Sequence, residues 1–427
     1  MAVFQQGRHT EAERLISAAL ALNPANAPAH NNLANALFAQ DRLEEAIAGY
    51  RRALELDPAY ADARANLAAR LSNLAGRLSD LGRPDEAVAH CEEALALRPE
   101  LAEAHNNLGN AHQARGDIDA AEASYRRALE LKPDFAAAKV NLGLSRLLRG
   151  DYAAGLPLFE SRFAAFGRVP FDAAQRWSGE KNRRKSLLLW SEQGLGDSIM
   201  MIRYLPLLKE RGFERVIIYT HPALVRLLGG VSSREPAPAF DLHCPMMSLP
   251  LVFGSRLETI PAKVPYLKIE ASKKLKDLPS WKVGISWAGT KENRKNALRS
   301  LRLAQLAPLF DVPGVSFVSL QKGDGAEELA SAPWKITNRM DECADLADTA
   351  ALIGELDLVI TVDTAIAHLA GALGKPVWML NRFESEWRWL RSREDSPWYP
   401  TMQLFNQPRL GDWGTPIARI AAALRGF

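Results

Sequence analysis

The chain has 427 residues, 47% hydrophobic and 24% charged, with a formal net charge of +3. That length predicts two to four domains, and so small a charge excludes nucleic-acid binding by bulk electrostatics, leaving local clusters to hold any anion. Cys91, Cys244 and Cys343 are scattered, which excludes a disulfide framework and a cysteine-based metal site.

No apolar run reaches the roughly 18 residues of a membrane span. The start, MAVFQQGRHTEAER, lacks the apolar stretch of a signal peptide. The expectation is a cytoplasmic protein with reduced thiols, no membrane span, no metal and no nucleic-acid partner.

Residues 1–165 repeat. Pro24 and Pro58 are 34 residues apart, as are Pro99 and Pro133, while Pro58 and Pro99 are 41 apart. The extra seven residues are about two helical turns, so one helix pair lengthens without losing its facing. AHNNLANALFAQDRLEEAIAGYRRALELDP pairs with AHNNLGNAHQARGDIDAAEASYRRALELKP. Ala46, Ala87 and Ala121, then Ala53, Ala94 and Ala128, recur where helices must cross closely. Leu33, Leu67, Leu108 and Leu142 mark the first helix of each pair, Tyr50 and Tyr125 the second. A proline follows each second helix, where it ends the helix.

These features closely resemble the tetratricopeptide repeat. The resemblance implies an α-solenoid of about four stacked helix pairs, each burying its face against its neighbours. The first repeat is incomplete, since Gly7, Ala12, Ala19 and Pro24 match only a second half. The last departs at Gly155, where the pattern wants alanine. Asn32, Asn66, Asn107 and Asn141 share one register, which in this repeat family lines the concave surface. Such amides suit a peptide groove, because they bond an extended backbone without reading its sequence. Asparagine is also simply common at that position, so both readings stand.

Residues 166–185 carry Pro, Gly and clustered charge and predict a linker. SLLLW (186–190) then predicts a buried parallel strand, followed by a Gly turn and an amphipathic helix carrying Ile199, Ile202, Leu205 and Leu208. RVIIYT (215–220) and AFDLHCPM (239–246) predict further strands around the helix HPALVRLLGG. A second run opens at WKVGISWAG (281–289) and continues through VSFVSLQKG (315–323) and LDLVITVDTAIAHLAGALGKPVWML (356–380). Strands alternating with helices mean parallel sheets. The expectation is an α plus α/β chain with two Rossmann-type halves, 186–270 and 281–427, the first carrying fewer strands.

Four segments carry candidate chemistry. Ser191–Asp197 follows SLLLW and opens a helix, where ligands bind in open α/β sheets. Glu192, Gln193, Gly194 and Gly196 are expected to line the cleft. Asp197 reads either as a helix N-cap or as a general base toward a hydroxyl. Asp363–His368 follows another strand, and Asp363 and Thr364 at a helix start suit phosphate. KENRKNALRSLR (291–302) gathers five basic residues, Lys295 and Arg299 among them, suited to a diphosphate leaving group. NRFESEWRWLRSREDSPWYP (381–400) follows a strand. There Trp387 suits sugar stacking and Arg388 a phosphate clamp, or the tryptophans pack between domains. Gln321, after VSFVSL, is a candidate for the base or ribose of a nucleotide.

DTAIAHLAGALGKPVWML looks like the DTGxxHLAxALGxPV signature of the bacterial heptosyltransferase family, glycosyltransferase family 9. GLGDSIMMIRYLPLLKE is similar to that family's GDxxxxxPxLxxL motif. The resemblance spans about 187–400 and implies a GT-B pair of Rossmann-type domains. It further implies metal-independent, inverting transfer from a nucleotide-sugar, with no other cofactor. Asp197 would be the base, and Asp363, Thr364, Ala365 and His368 would meet the donor diphosphate. The family's lysine corresponds to Arg299 or Lys295. Its glycine is Ala365 here, and a methyl there crowds a phosphate approaching the backbone. The sequence therefore predicts a glycosyltransferase whose repeats recruit a protein or peptide acceptor. The alternative is a non-catalytic scaffold with a relic nucleotide-sugar-binding module.

Overall fold

The computed structural model describes residues 2–167, 169–181, 184–269, 275–279 and 281–426. Arg168, Asn182 and Arg183 of the expected linker lie outside the described residues, as do Met1, Glu270 and Phe427. The chain divides into two compact units, Met1–Leu142 and Gly143–Phe427. The fold class is α plus α/β, a helical repeat array followed by two parallel sheets.

The first unit pairs helices Ala27–Phe38 with Leu43–Leu56, Ala61–Asp80 with Pro84–Leu97, and Ala102–Arg115 with Ile118–Leu131, behind an opening helix His9–Leu22. Helix Ala61–Asp80 has 20 residues where Ala102–Arg115 has 14, which absorbs the long interval between prolines. The repeated alanines Ala46, Ala53, Ala87, Ala94, Ala121 and Ala128 are fully buried. Their small side chains let adjacent helices approach, and the leucines around them supply most of the burial energy, about 1.5–3 kcal/mol for each fully buried side chain. Gly109 shows how close this packing is, since a β-carbon there would lie 2.4 Å from the Tyr125 ring. Tyr125 in turn donates from its buried hydroxyl to Asn110 at 2.8 Å, as Tyr50 does to Asn35 at 2.6 Å.

The asparagine register is used in part within the stack. Asn66 donates to Asn31 Oδ1 at 2.9 Å and Asn141 to Asn106 Oδ1 at 2.9 Å. Asn107 donates to the carbonyl of Ser72 at 2.9 Å and to its hydroxyl at 3.0 Å. Each of the three amides donates to the neighbouring repeat, so these residues stitch the stack. Asn32, half-buried, occupies the matching place in the first full pair.

The boundary between units falls inside the helix Ala136–Leu148. The second unit therefore contains a helical hairpin ending in Tyr152–Phe159, then the short helix Arg162–Phe166. Gly155 is required here. A β-carbon would sit 2.7 Å from Leu147 and 2.8 Å from the carbonyl of Gly143, closer than alanine tolerates. The expected linker is not a free connector. Trp177 is buried, donates to the Glu180 carbonyl at 2.8 Å and packs edge-on to Phe213 and Phe253.

Two parallel sheets follow. The first holds β1 (Ser186–Trp190), β2 (Arg215–Thr220), β3 (Val231–Ser232) and β4 (Leu242–Pro245) in the order β3-β2-β1-β4. The second holds β5 (Trp281–Ser286), β6 (Val315–Ser319), β7 (Ile336–Asn338), β8 (Leu358–Val362), β9 (Val377–Asn381) and β10 (Met402–Asn406) in the order β10-β9-β8-β5-β6-β7. β8 is buried at every position, as a strand covered on both faces must be. The strand order reverses between β1 and β4 in the first sheet and between β5 and β8 in the second. Loops leaving the carboxyl ends of strands at such switch points border the crevice where α/β sheets take ligands. The loops after β1, β5 and β8 are the segments singled out from sequence.

The amphipathic helix expected after β1 is broken into Leu195–Met201, a 3-10 turn Ile202–Tyr204 and Leu205–Glu210. Pro206, early in the last piece, has no N–H to carry the helix through.

Candidate functional site

The loop after β1 ends with Gly194 as the N-cap of the Leu195–Met201 helix. Asp197 is thus the third helical residue and not the cap itself. Its Oδ2 accepts the Gly194 N–H at 3.1 Å, and its Oδ1 is ion-paired with Arg388. Gln193 and Gly194 are exposed beside it.

The loop after β8 brings Thr364 to the N-cap of the Ala365–Ala372 helix. That helix and Leu195–Met201 pack face to face. Gly196 lies on His368 so tightly that a β-carbon would sit 2.5 Å from the imidazole Cδ2. The His368 ring is 4% exposed, meets Tyr399 OH through Nδ1 at 2.9 Å and lies 5.1 Å from the Trp389 ring. Burial first, then the charges of Arg388 and Arg203, push its pKa down to about 3. His368 is therefore a buried imidazole, kept neutral, where two helices pack together. The same junction holds Arg203, which donates to Tyr266 OH at 3.0 Å and to the Trp398 carbonyl at 2.5 Å.

Around Asp363 the chain collects charge. From the loop after β9, Arg382 donates to Glu386 Oε1 at 3.0 Å and Arg388 to Glu386 Oε2 at 2.5 Å. From the loop after β5, Arg299 donates to the Asp363 carbonyl at 3.2 Å, and Lys295 is ion-paired with Glu384. Gly289 makes room for Arg299, because a β-carbon there would lie 2.6 Å from its Nη2. Burial, then Glu386, raises the Asp363 carboxyl above its ordinary range. Burial would raise Glu386 too, but Arg388, Arg382 and Arg299 outweigh it and hold that carboxylate well below its ordinary value. Among the described residues, the Nε of Arg299, Arg382 and Arg388 are buried without a hydrogen-bond partner.

The structure thus brings Asp197, Arg388, Asp363, Thr364, His368, Arg299 and Lys295 to one region, as the sequence suggests, with Ala365 half-buried at the helix start. Three candidates are engaged elsewhere. Glu192 is held by Arg162 at 2.9 and 2.8 Å and accepts the Met247 N–H at 3.1 Å, so it ties the loops after β1 and β4 together. Gln321 is saturated. Its Oε1 accepts from Ser286, Trp287 and Ala288 and its Nε2 donates to the carbonyls of Ala288 and Asp324. Trp387 is 5% exposed and packs edge-on against Tyr152 and Trp398, leaving no face for a sugar. Sequence reasoning missed Arg382, Glu386, Arg162 and Arg203. For the first two a signal existed, the i, i+4 spacing of opposite charges directly after a buried strand. No group of three or more metal-ligating side chains occurs among the described residues, nor does any helix long and apolar enough to cross a membrane.

Tetratricopeptide repeat profiles match residues 25–100 and 102–135. The profile of glycosyltransferase family 9 (heptosyltransferase) matches residues 333–389, the stretch holding β7 to β9, the Asp363–His368 loop and Arg382–Arg388. Protein FlbA of Caulobacter vibrioides is 33% identical over 317 residues, covering 64% of this chain and 52% of its own. This chain thus spans about half the length of that relative. Among solved structures, MamA aligns at 20% identity over 39% of this chain and 93% of that one, with a TM-score of 0.33. YrrB, described as a TPR protein with an unusual peptide-binding site, aligns at 20% identity over 38% and 80%, with a TM-score of 0.31.

Proposed function

We propose that the α/β part is a glycosyltransferase moving a sugar from a nucleoside-diphosphate donor to an acceptor hydroxyl with inversion. The acceptor oxygen bonds to the anomeric carbon as the bond from that carbon to the diphosphate oxygen breaks. The electron pair leaves with the diphosphate, and the hydroxyl proton passes to Asp197. Arg299, Lys295, Arg382 and Arg388 neutralise the departing charge, a task for which guanidinium groups are suited by geometry and permanent charge. The repeat array recruits the acceptor as a protein or peptide, and the cytoplasm supplies the nucleotide-sugar.

One observation carries this reading. The loops at the switch points of two parallel sheets meet, with a carboxylate from one side and a cation-rich cluster from the other. The family 9 match over 333–389 supports it. A second reading, a nucleotide-sugar sensor without transfer, is favoured by Ala365 and by the ion pair that Asp197 makes with Arg388.

Thermal melts with UDP, ADP, GDP and CMP test both. A ligand at 100 times its dissociation constant stabilises by about 2.7 kcal/mol. No shift with any nucleotide rejects both readings. Donor hydrolysis or transfer that vanishes in Asp197→Ala while binding persists supports the enzyme. Binding with no turnover in the wild type, across donors of the bound nucleotide, supports the sensor.

A further inference from the structure

Arg388 is a single guanidinium shared by two halves of the α/β unit. One terminal nitrogen pairs with Asp197, from the loop after β1, and the other with Glu386, two residues before it. Its third nitrogen, Nε, is buried and unpartnered among the described residues, as are those of Arg299 and Arg382. All three arginines and Lys295 act electrostatically on Glu386. Glu384 pairs with Lys295 and Asp363 lies in the same cluster, so the four cations meet four carboxyl groups, yet three buried N–H donors are left over. A buried donor without a partner is a standing cost. A diphosphate presents more acceptor oxygens and more charge than a carboxylate, and matches those unpartnered donors.

We propose that Glu386 and Asp197 are internal competitors for Arg388, and that the donor's diphosphate takes the guanidinium from both. In the unliganded chain Asp197 is masked by its ion pair with Arg388. When a diphosphate draws Arg388 into the cation cluster, Asp197 is released toward the acceptor. The device couples donor binding to exposure of the base, so the carboxylate is not free to activate a hydroxyl before a donor is bound. This inference rests on the transferase reading for the role of Asp197, but not for the competition itself.

The test is calorimetric titration of the full chain with inorganic pyrophosphate, and with UDP, ADP, GDP and CDP, at low salt. Glu386→Gln and Asp197→Asn each remove one competitor. Either variant is expected to bind pyrophosphate at least tenfold more tightly than the wild type. Arg388→Ala is expected to bind it at least tenfold more weakly, with Arg388→Lys in between. If Glu386→Gln does not fold, as judged by its melt, Asp197→Asn decides the matter alone. Affinity unchanged or weakened in the folded competitor variants overturns the proposal, even if nucleotides bind and turnover occurs. Tightened pyrophosphate binding with no nucleotide binding and no turnover leaves the competition standing and removes the transferase reading.

Discussion

Gly196 and His368 face each other across the junction of two helices, and a β-carbon on Gly196 would come within 2.5 Å of the imidazole. The ring cannot retreat, since it is buried between Trp389 and Tyr399 and bonded to the latter at 2.9 Å. Gly196→Ala must therefore push the Leu195–Met201 and Ala365–Ala372 helices apart. Overpacking of this kind costs about 1–3 kcal/mol, which lowers Tm by roughly 2–4 °C per kcal/mol for a unit of this size. A thermal melt reads it directly. An unchanged Tm means the two helices are not in contact in solution.

Arg162 is 2% exposed and holds Glu160, Glu192 and Ser248 together. Burial lowers its affinity for a proton, yet Glu192 and Glu160 outweigh that and raise its pKa. Arg162→Ala leaves Glu192 buried without its partner. Removing one member of a buried pair costs about 3–5 kcal/mol. Chemical denaturation of the variant checks this. Arg162→Ala combined with Glu192→Gln should recover part of the loss, because the uncompensated charge is gone.

His368 gives the chain an acid-sensitive term. Its ordinary pKa of 6.5 falls to about 3 in the folded state through burial and the nearby arginines. Above pH 6.5 both states are neutral there. Below it the unfolded chain takes up a proton that the folded chain refuses, so stability falls with pH, by up to about 1.4 kcal/mol per unit, until about pH 3. Asp363 works the other way. Its raised carboxyl takes a proton in the folded state first, so acid adds stability as pH falls toward 3.8. Glu386, held low, loses its contribution only below its ordinary 4.5. His368→Gln removes the first effect alone. Between pH 6.5 and 5 the variant should lose less denaturation free energy than the wild type, and equal slopes would show that His368 titrates normally.

The repeat array and both α/β halves were legible because their signals are periodic: proline spacing, alanine register and strand-helix alternation. The short strands β3 and β7 were not, since two or three residues carry no period. Asp197 and Asp363–His368 were legible because each follows a buried apolar strand. The uses of Gln321, Glu192 and Trp387 were not, because strand-end position marks proximity to a crevice and not which way a side chain turns. Gln321 turns inward to the Ser286 hydroxyl and the backbone N–H groups of Trp287 and Ala288, and Glu192 turns toward Arg162, 30 residues earlier. Arg203 lies on the helix whose sequence signal was Ile199, Ile202, Leu205 and Leu208. Only the fold shows that its face meets Tyr266 and Trp398.

Ala365 offers the sharpest test of how a diphosphate sits. It is the first residue of its helix, after Thr364 at φ −140° and ψ 175°, and it is not among the residues with positive φ. The backbone there does not require glycine, so a methyl matters only if a phosphate oxygen approaches the N–H groups at the helix start. Ala365→Gly removes the methyl at a cost to the helix of less than about 1 kcal/mol, read as a small drop in Tm. Nucleoside diphosphate affinity should rise several-fold if the phosphate docks on that turn. Equal affinity in a folded variant places the diphosphate instead against the side-chain cations alone, with Lys295, Arg299, Arg382 and Arg388 carrying the whole of its charge.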